Sequence, residues 1–201
     1  MLPLVFLPGT PVLLAGRGPA LLKRLGVLEA AGLTALTVHT DAADEALAGR
    51  LGSRLRPRLP GAEEIGAARL LFVAGLAREE AARLAAAARA QSVTVNVEDI
   101  PELCDVHVPA IVRRGGLTLT VSTAGGAPVL AAAIRAWLED TFGPDWAAHL
   151  EEVAALRATL RARGATPAEV IRGVGAHLAA AGWPPLQGAA RCPPAAPAPG
   201  A

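Results

Sequence analysis

Three stretches of this chain carry residues whose types and spacing could do chemistry. The first is Gly16-Arg17-Gly18, which follows the apolar run Val12 to Ala15 and precedes a helical pattern. Glycines in a strand-to-helix turn let backbone N–H groups approach a pyrophosphate, which then rests on the partial positive charge of the helix N-terminus. Asp41 stands 25 residues after Gly16, near the end of the next apolar run. An acid about 20 residues beyond the turn is the one that bonds a ribose hydroxyl in dinucleotide sites. The third small position of that pattern is Leu21 here, and with 21 glycines in the chain a G-x-G also fits a plain turn.

The second stretch is Asn96-Val97-Glu98-Asp99, at the end of another apolar run. A carboxylate at the carboxyl end of a parallel strand faces the ligand crevice and can serve as general base, or it can cap the turn before Pro101. Two adjacent acids cannot both face one site. The third stretch is Ser122-Thr123-Ala124-Gly125-Gly126-Ala127-Pro128, hydroxyls and backbone donors before a helix start. It reads either as an anion cradle or as a loop capped by Ser122 or Thr123.

These groups need elements to hold them. Leu4 to Leu7 and Val12 to Ala15 read as two strands about the turn Pro8-Gly9-Thr10. Ala20 to Ala31 sets Leu21, Leu25 and Leu28 on one helical face, with Gly32 as its stop. Strands at Ala35 to Thr40, Leu70 to Ala74 and Val93 to Val97 follow, with a helical turn around Glu45 to Leu55 and an alanine-rich helix at Arg78 to Ala90. Strand, helix and strand in this order make the α/β class with a parallel sheet.

Past residue 105 the grammar changes. Val108 to Arg113, Gly115-Gly116 and Leu117 to Ser122 read as a hairpin, with Leu117, Leu119 and Val121 on the buried face. Helices are expected from Pro128 to about Phe142, from Asp145 to Arg163, and from Thr166 to Ala181 with a capping box at Thr166 and Glu169. Trp137, Trp146 and Trp183 are expected to cover helix packing, and the Pro-rich residues from Gln187 on to be disordered.

Bulk composition narrows the function. A formal net charge of +1 with interspersed signs leaves no electrostatic footprint for nucleic acid. Pro3, Pro8 and Pro11 interrupt the apolar start, so no signal peptide is expected, and no apolar run reaches membrane-spanning length. Two distant cysteines, Cys104 and Cys192, fit a reducing cytoplasm. His39, His107, His149 and His177 show no paired spacing, so no resident metal is expected.

The ordered string NVEDIPELCD, then VPAIVRRGGLTLTVSTAGGAPVLA, with LPLVF, AGRGPALLKR and LEAAG upstream, resembles the precorrin-2 dehydrogenase domain of siroheme synthases and its free-standing dehydrogenase/ferrochelatase relatives. The resemblance covers about Leu2 to Leu160. It implies a Rossmann-like NAD-binding domain (1–107), a small α+β dimerisation domain (108–143) and a helical domain (144–184) before a disordered tail (185–201). It implies oxidation of precorrin-2 to sirohydrochlorin in a cytoplasmic homodimer, with electrons passed to NAD⁺. Fe²⁺ or Co²⁺ insertion accompanies this in some relatives.

By position, the family's catalytic aspartate falls on Asp99 and its cofactor contacts on Pro19, Ala20, Asp41 and Ala42, beside the turn Gly16, Arg17 and Gly18. Asn96, Arg113, Arg114, Ser122, Thr123 and Gly125 are the expected contacts to the carboxylate-rich substrate. Two stretches depart from the family. A triple glycine is replaced by Gly16-Arg17-Gly18, and an Ala-Thr-Asp-Asp stretch by Ala74-Gly75-Leu76-Ala77. The alternatives are a tetrapyrrole-binding chelatase, or a non-catalytic interaction protein, that has lost NAD.

Overall fold

The computed structural model describes residues 5–182. They form two compact units: the residues through Val108 with Ala124–Gly126, and Pro109–Thr123 with the residues from Ala127 on. Most described residues of the domains expected at 108–143 and 144–184 lie in the second unit, with Val108 and Ala124–Gly126 in the first.

The first unit is a five-stranded parallel sheet in the order β3-β2-β1-β4-β5. Its strands are β1 (Val12–Gly16), β2 (Leu36–His39), β3 (Leu55–Arg56), β4 (Leu70–Ala74) and β5 (Thr94–Val97). The helices are α1 (Gly18–Ala30), α2 (Glu45–Leu51), α3 (Ala62–Gly66) and α4 (Arg78–Ala90). Side chains alternate across each strand, and both faces are covered, which is why β1 and β4 read as unbroken apolar runs. Val12, Leu14, Val38 and Phe72 meet Leu21, Leu25 and Leu28 of α1 and Leu47 and Leu51 of α2. On the other face Leu13, Ala15, Val73, Val95 and Val97 meet Ile65 and the α4 residues Ala81, Leu84, Ala85 and Ala88.

One expected strand is absent. Leu4 lies outside the described residues, and Val5 to Leu7 form no ladder, with Val5 88% and Leu7 70% exposed. Both edges of β1 are taken by β2 and β4, so an extra strand there has no partner. The expected turn does form, with the Thr10 N–H donating to the Leu7 carbonyl. The short elements β3 and α3 are additional to the expected ones, and β3 begins at Leu55, where the expected helical turn ends.

The second unit holds the expected hairpin, β6 (Ala110–Arg114) with β7 (Leu117–Val121), paired antiparallel from Ala110↔Val121 to Arg114↔Leu117. It continues with α5 (Pro128–Thr141), α6 (Trp146–Ala162) and α7 (Pro167–Ala180). Thr166 and Glu169 form the expected capping box at α7. Burial is sparse: Leu117, Leu119 and Val121 are only half-buried, and among the described residues of the unit the buried hydrophobic ones are Val112, Ala131 and Val170. Trp146 packs on Phe142 at 5.0 Å between ring centroids, whereas Trp137 stands 47% exposed, contrary to expectation. Trp183, Cys192 and the Pro-rich stretch lie outside the described residues.

Candidate functional site

In an open parallel sheet, ligands bind beyond the carboxyl ends of the strands where the strand order reverses. Here that point lies between β1 and β4. Four loops meet this edge, and they carry Asp41 after β2, Gly16-Arg17-Gly18 at the end of β1, Gly75 after β4, and Glu98 and Asp99 after β5. Strand spacing puts the β1 and β5 ends about 10 Å apart, with β4 between them.

The glycine turn is shaped by close packing on its β4 side and by openness on its outer side. A Cβ on Gly16 would lie 1.9 Å from the Ala74 carbonyl oxygen, so only glycine lets the two strand ends approach so closely. The Arg17 N–H donates to that same carbonyl at 3.1 Å. Gly75, one of the departures from the family pattern, has the same origin: its Cβ would lie 2.2 Å from the Arg17 carbonyl oxygen. Gly18 differs. It sits at φ +61° with nothing within 4 Å of the place a Cβ would take.

Gly18 opens α1, Pro19 stands in the first turn, and no side chain caps this N-terminus. Pro19 has no N–H to leave unpaired. The first turn of α1, Ala20 included, carries backbone donors that no side chain caps, and an anion is the usual acceptor for such a helix start. These residues fit a dinucleotide phosphate.

The Arg17 side chain is the dominant electrostatic feature of the edge. Its Nε and Nη2 donate to the Asp41 carboxylate at 2.6 and 2.7 Å, and its Nη1 and Nη2 donate to Glu80 at 2.7 and 2.9 Å. The hydrogen bonds from Arg17 hold the carboxyl groups of both Asp41 and Glu80 below their usual range, and hold Arg17 itself firmly protonated. Asp41, expected as a ribose acceptor, is therefore already engaged. The Ala42 N–H donates to Thr40 Oγ1 at 3.2 Å, which fixes the turn that presents Asp41.

The acids after β5 divide their roles. The Glu98 side chain is 10% exposed and turns toward α1, its Oε1 3.3 Å from Lys23 Nζ and 3.8 Å from Arg24 Nη2. Arg24 in turn lies over the Phe72 ring at 5.4 Å. Asp99 is exposed, in the left-handed region at φ +62° that Asp tolerates better than most residues. Of the two carboxylates, Asp99 is the one open to solvent at this edge.

Other expected contacts serve structure. Asn96 is buried; its Nδ2 donates to the Val106 carbonyl at 2.8 Å and pins the chain as it leaves the sheet. The Cys104 thiol accepts from the Val97 N–H and donates to the Val97 carbonyl, tying the same return. In the second unit Arg114 donates to the Phe142 and Glu139 carbonyls at 2.6 and 2.9 Å, which caps the end of α5. Arg113 makes no ion pair among the described residues. Thr123 Oγ1 accepts from the Ala127 N–H at 3.2 Å, the structural role weighed for it, while Ser122 precedes and Gly125 at φ +81° follows in the same loop.

Neither of two open surface cavities, about 640 and 330 Å³, is lined by the glycine turn or by Asp99. No three metal-ligating side chains converge among the described residues. No helix among them is long and apolar enough to cross a membrane.

Comparison with known proteins agrees with this edge. A family model described as "Putative NAD(P)-binding" matches residues 4–110, the first unit almost entire. Siroheme synthase of Methylococcus capsulatus is 37% identical over 131 residues, covering 64% of this chain and 28% of that protein. The siroheme synthase of Ectopseudomonas mendocina is 39% identical over 143 residues, covering 68% of this chain and 30% of that protein. That of Pseudomonas putida W619 is 38% identical over 161 residues, covering 77% and 33%. The chain thus spans about a third of the length of these curated relatives. Among solved structures, SirC, a precorrin-2 dehydrogenase, superposes with a TM-score of 0.69 at 18% identity, covering 87% of this chain and 88% of that one. That likeness is one of fold. The chain belongs to the NAD(P)-binding family whose model spans residues 4–110.

Proposed function

We propose that this chain oxidises precorrin-2 to sirohydrochlorin with NAD as hydride acceptor. The observation that carries the reading is the shared sheet edge: an open glycine turn at β1 and an exposed carboxylate, Asp99, two strands away after β5. A nicotinamide, when bound, supplies a two-electron acceptor. Gly16, Gly18 and the α1 N-terminus, with Pro19 and Ala20, would hold the phosphates, and Asp41 and Ala42 lie toward the ribose end.

The substrate must lose a proton along with the hydride, so that a new double bond forms in the macrocycle. Asp99 is the base that takes this proton, and its exposed position lets it pass the proton to water. Glu98 is held by Lys23 and Arg24 and does not compete for the role. Carboxylates on the macrocycle require donors. Arg113, without an ion pair among the described residues, and the loop holding Ser122, Thr123 and Gly125 are proposed for that task. Asn96 fixes the chain as it leaves β5, and Arg114 fixes the end of α5.

A homodimer is proposed as well. The second unit leaves Val129 82%, Leu130 54% and Trp137 47% exposed along α5 over a thin core, and a second copy would cover them. A cytoplasmic location follows from the reaction's nicotinamide supply. Insertion of Fe²⁺ or Co²⁺ as a substrate metal is proposed as a further activity, on the resemblance alone. Anaerobic turnover of precorrin-2 with NAD⁺ or NADP⁺, with and without each metal, tests all of this. Reduced nicotinamide formed together with sirohydrochlorin supports the reading. Macrocycle binding without nicotinamide reduction favours a binding or carrier protein instead.

A further inference from the structure

We propose that Arg17 sets the coenzyme preference of this site and opens it to the 2′-phosphorylated dinucleotide. The inference rests on the dinucleotide reading above and goes beyond it. In a site of this topology the acid after β2 accepts the ribose 2′-hydroxyl and repels a phosphate placed there, whereas a nearby arginine accommodates that phosphate. This chain has both groups, and they are joined. Each oxygen of the Asp41 carboxylate already accepts a hydrogen bond from the Arg17 fork, so its charge is matched before any ligand arrives.

Glu80 makes the arrangement a device rather than a chance pair. It holds the guanidinium from the α4 side through two further hydrogen bonds. When the face toward Asp41 is exchanged for a ligand, Glu80 keeps the cation over the turn. A guanidinium has five N–H donors, and these four contacts leave one on Nη1. The Arg17 and Asp41 side chains are 31% and 44% exposed, so solvent and ligand can reach the pair, while Glu80 at 24% is the more sheltered anchor. A phosphate with close to two negative charges and three acceptor oxygens competes for a fork better than a single carboxylate does. An unphosphorylated ribose has instead to draw Asp41 away from Arg17.

The test is calorimetric titration of NAD⁺ and NADP⁺ into the full chain, which needs no turnover. The wild type is expected to bind NADP⁺ within about threefold of NAD⁺, or more tightly. Arg17→Gln frees the Asp41 charge and should shift the ratio toward NAD⁺ by about tenfold, the scale of one such charge contact. Asp41→Asn leaves Arg17 on Glu80 and should shift it toward NADP⁺. The proposal is overturned if both dinucleotides bind and Arg17→Gln and Asp41→Asn leave their ratio within about twofold of wild type, or if the wild type already prefers NAD⁺ by more than about thirtyfold. Failure of both to bind the folded wild type would overturn the dinucleotide reading itself, and this one with it.

Discussion

Arg17 clasps Asp41 through two parallel hydrogen bonds of 2.6 and 2.7 Å, joining the glycine turn after β1 to the acid after β2. The clasp places the only arginine of the turn where a ribose acceptor would otherwise stand free. Acid should loosen it. Both Asp41 and Glu80 have carboxyl groups lowered by the hydrogen bonds from Arg17, so the pairing is intact above the ordinary carboxylate pKa and is lost as pH falls through the lowered values. Solvent exposure keeps its contribution to stability small. NMR of the Asp41 carboxyl carbon against pH checks this: its midpoint should lie below the ordinary Asp range in the wild type and return toward it in Arg17→Gln. An unshifted wild-type midpoint would contradict it.

Gly16 and Gly18 should answer alanine differently. At Gly16 a methyl group meets a main-chain carbonyl that cannot step aside, so Gly16→Ala should cost roughly 3 kcal/mol, the upper range of overpacking. Gly18→Ala enters open space and meets only the left-handed backbone penalty, about 1–2 kcal/mol. Urea unfolding of both variants gives the comparison. Dinucleotide titration of Gly18→Ala adds a second readout, because its methyl group points into the proposed phosphate space.

His39 offers a pH test of the first unit's core. It is 2% exposed, and burial pushes its pKa down, opposed by Glu64 at 4.0 Å and assisted by Arg58 and Arg56. The folded protein therefore favours the neutral ring. As pH falls below about 6.5 the unfolded chain takes up a proton the folded one resists, and stability declines until the lower folded pKa is passed. The urea midpoint should drop between about pH 7.5 and about pH 5.5. In His39→Leu it should drop less, and an equal drop in both proteins would refute the assignment.

Much of the first unit was legible because buried parallel strands and their helices write themselves plainly. Leu70 to Ala74 and Arg78 to Ala90 form β4 and α4 with the expected bounds. The strand expected before Pro8 does not form among the described residues, because an apolar run says nothing about whether a sheet edge is free to receive it. At the site, Gly16 and Asp41 stood out by spacing, and Asp99 by resemblance. Glu80 did not. Acids are common in first helical turns, and only folding brings this one to Arg17. Nor could spacing separate Arg113 from Arg114, neighbours on opposite faces of one strand.

Arg113 and Arg114 should separate cleanly by mutation. Arg114→Met strips the donor from the Phe142 and Glu139 carbonyls and should destabilise the second unit by about 1–3 kcal/mol. Arg113→Met should stay within about 0.5 kcal/mol of wild type, as surface changes do, and raise KM for the macrocycle instead. Thermal unfolding together with steady-state kinetics distinguishes them. A KM effect confined to Arg114 would reverse the assignment.

The most direct test of the central claim follows nicotinamide reduction by the full chain with precorrin-2 and saturating NAD⁺ under anaerobic conditions, wild type beside Asp99→Ala. One reduced nicotinamide per sirohydrochlorin is expected from the wild type. From Asp99→Ala, a rate lower by about 10²- to 10⁴-fold is expected at unchanged dinucleotide affinity. Wild-type rates from Asp99→Ala, or a bound macrocycle that yields no reduced nicotinamide, would contradict the account.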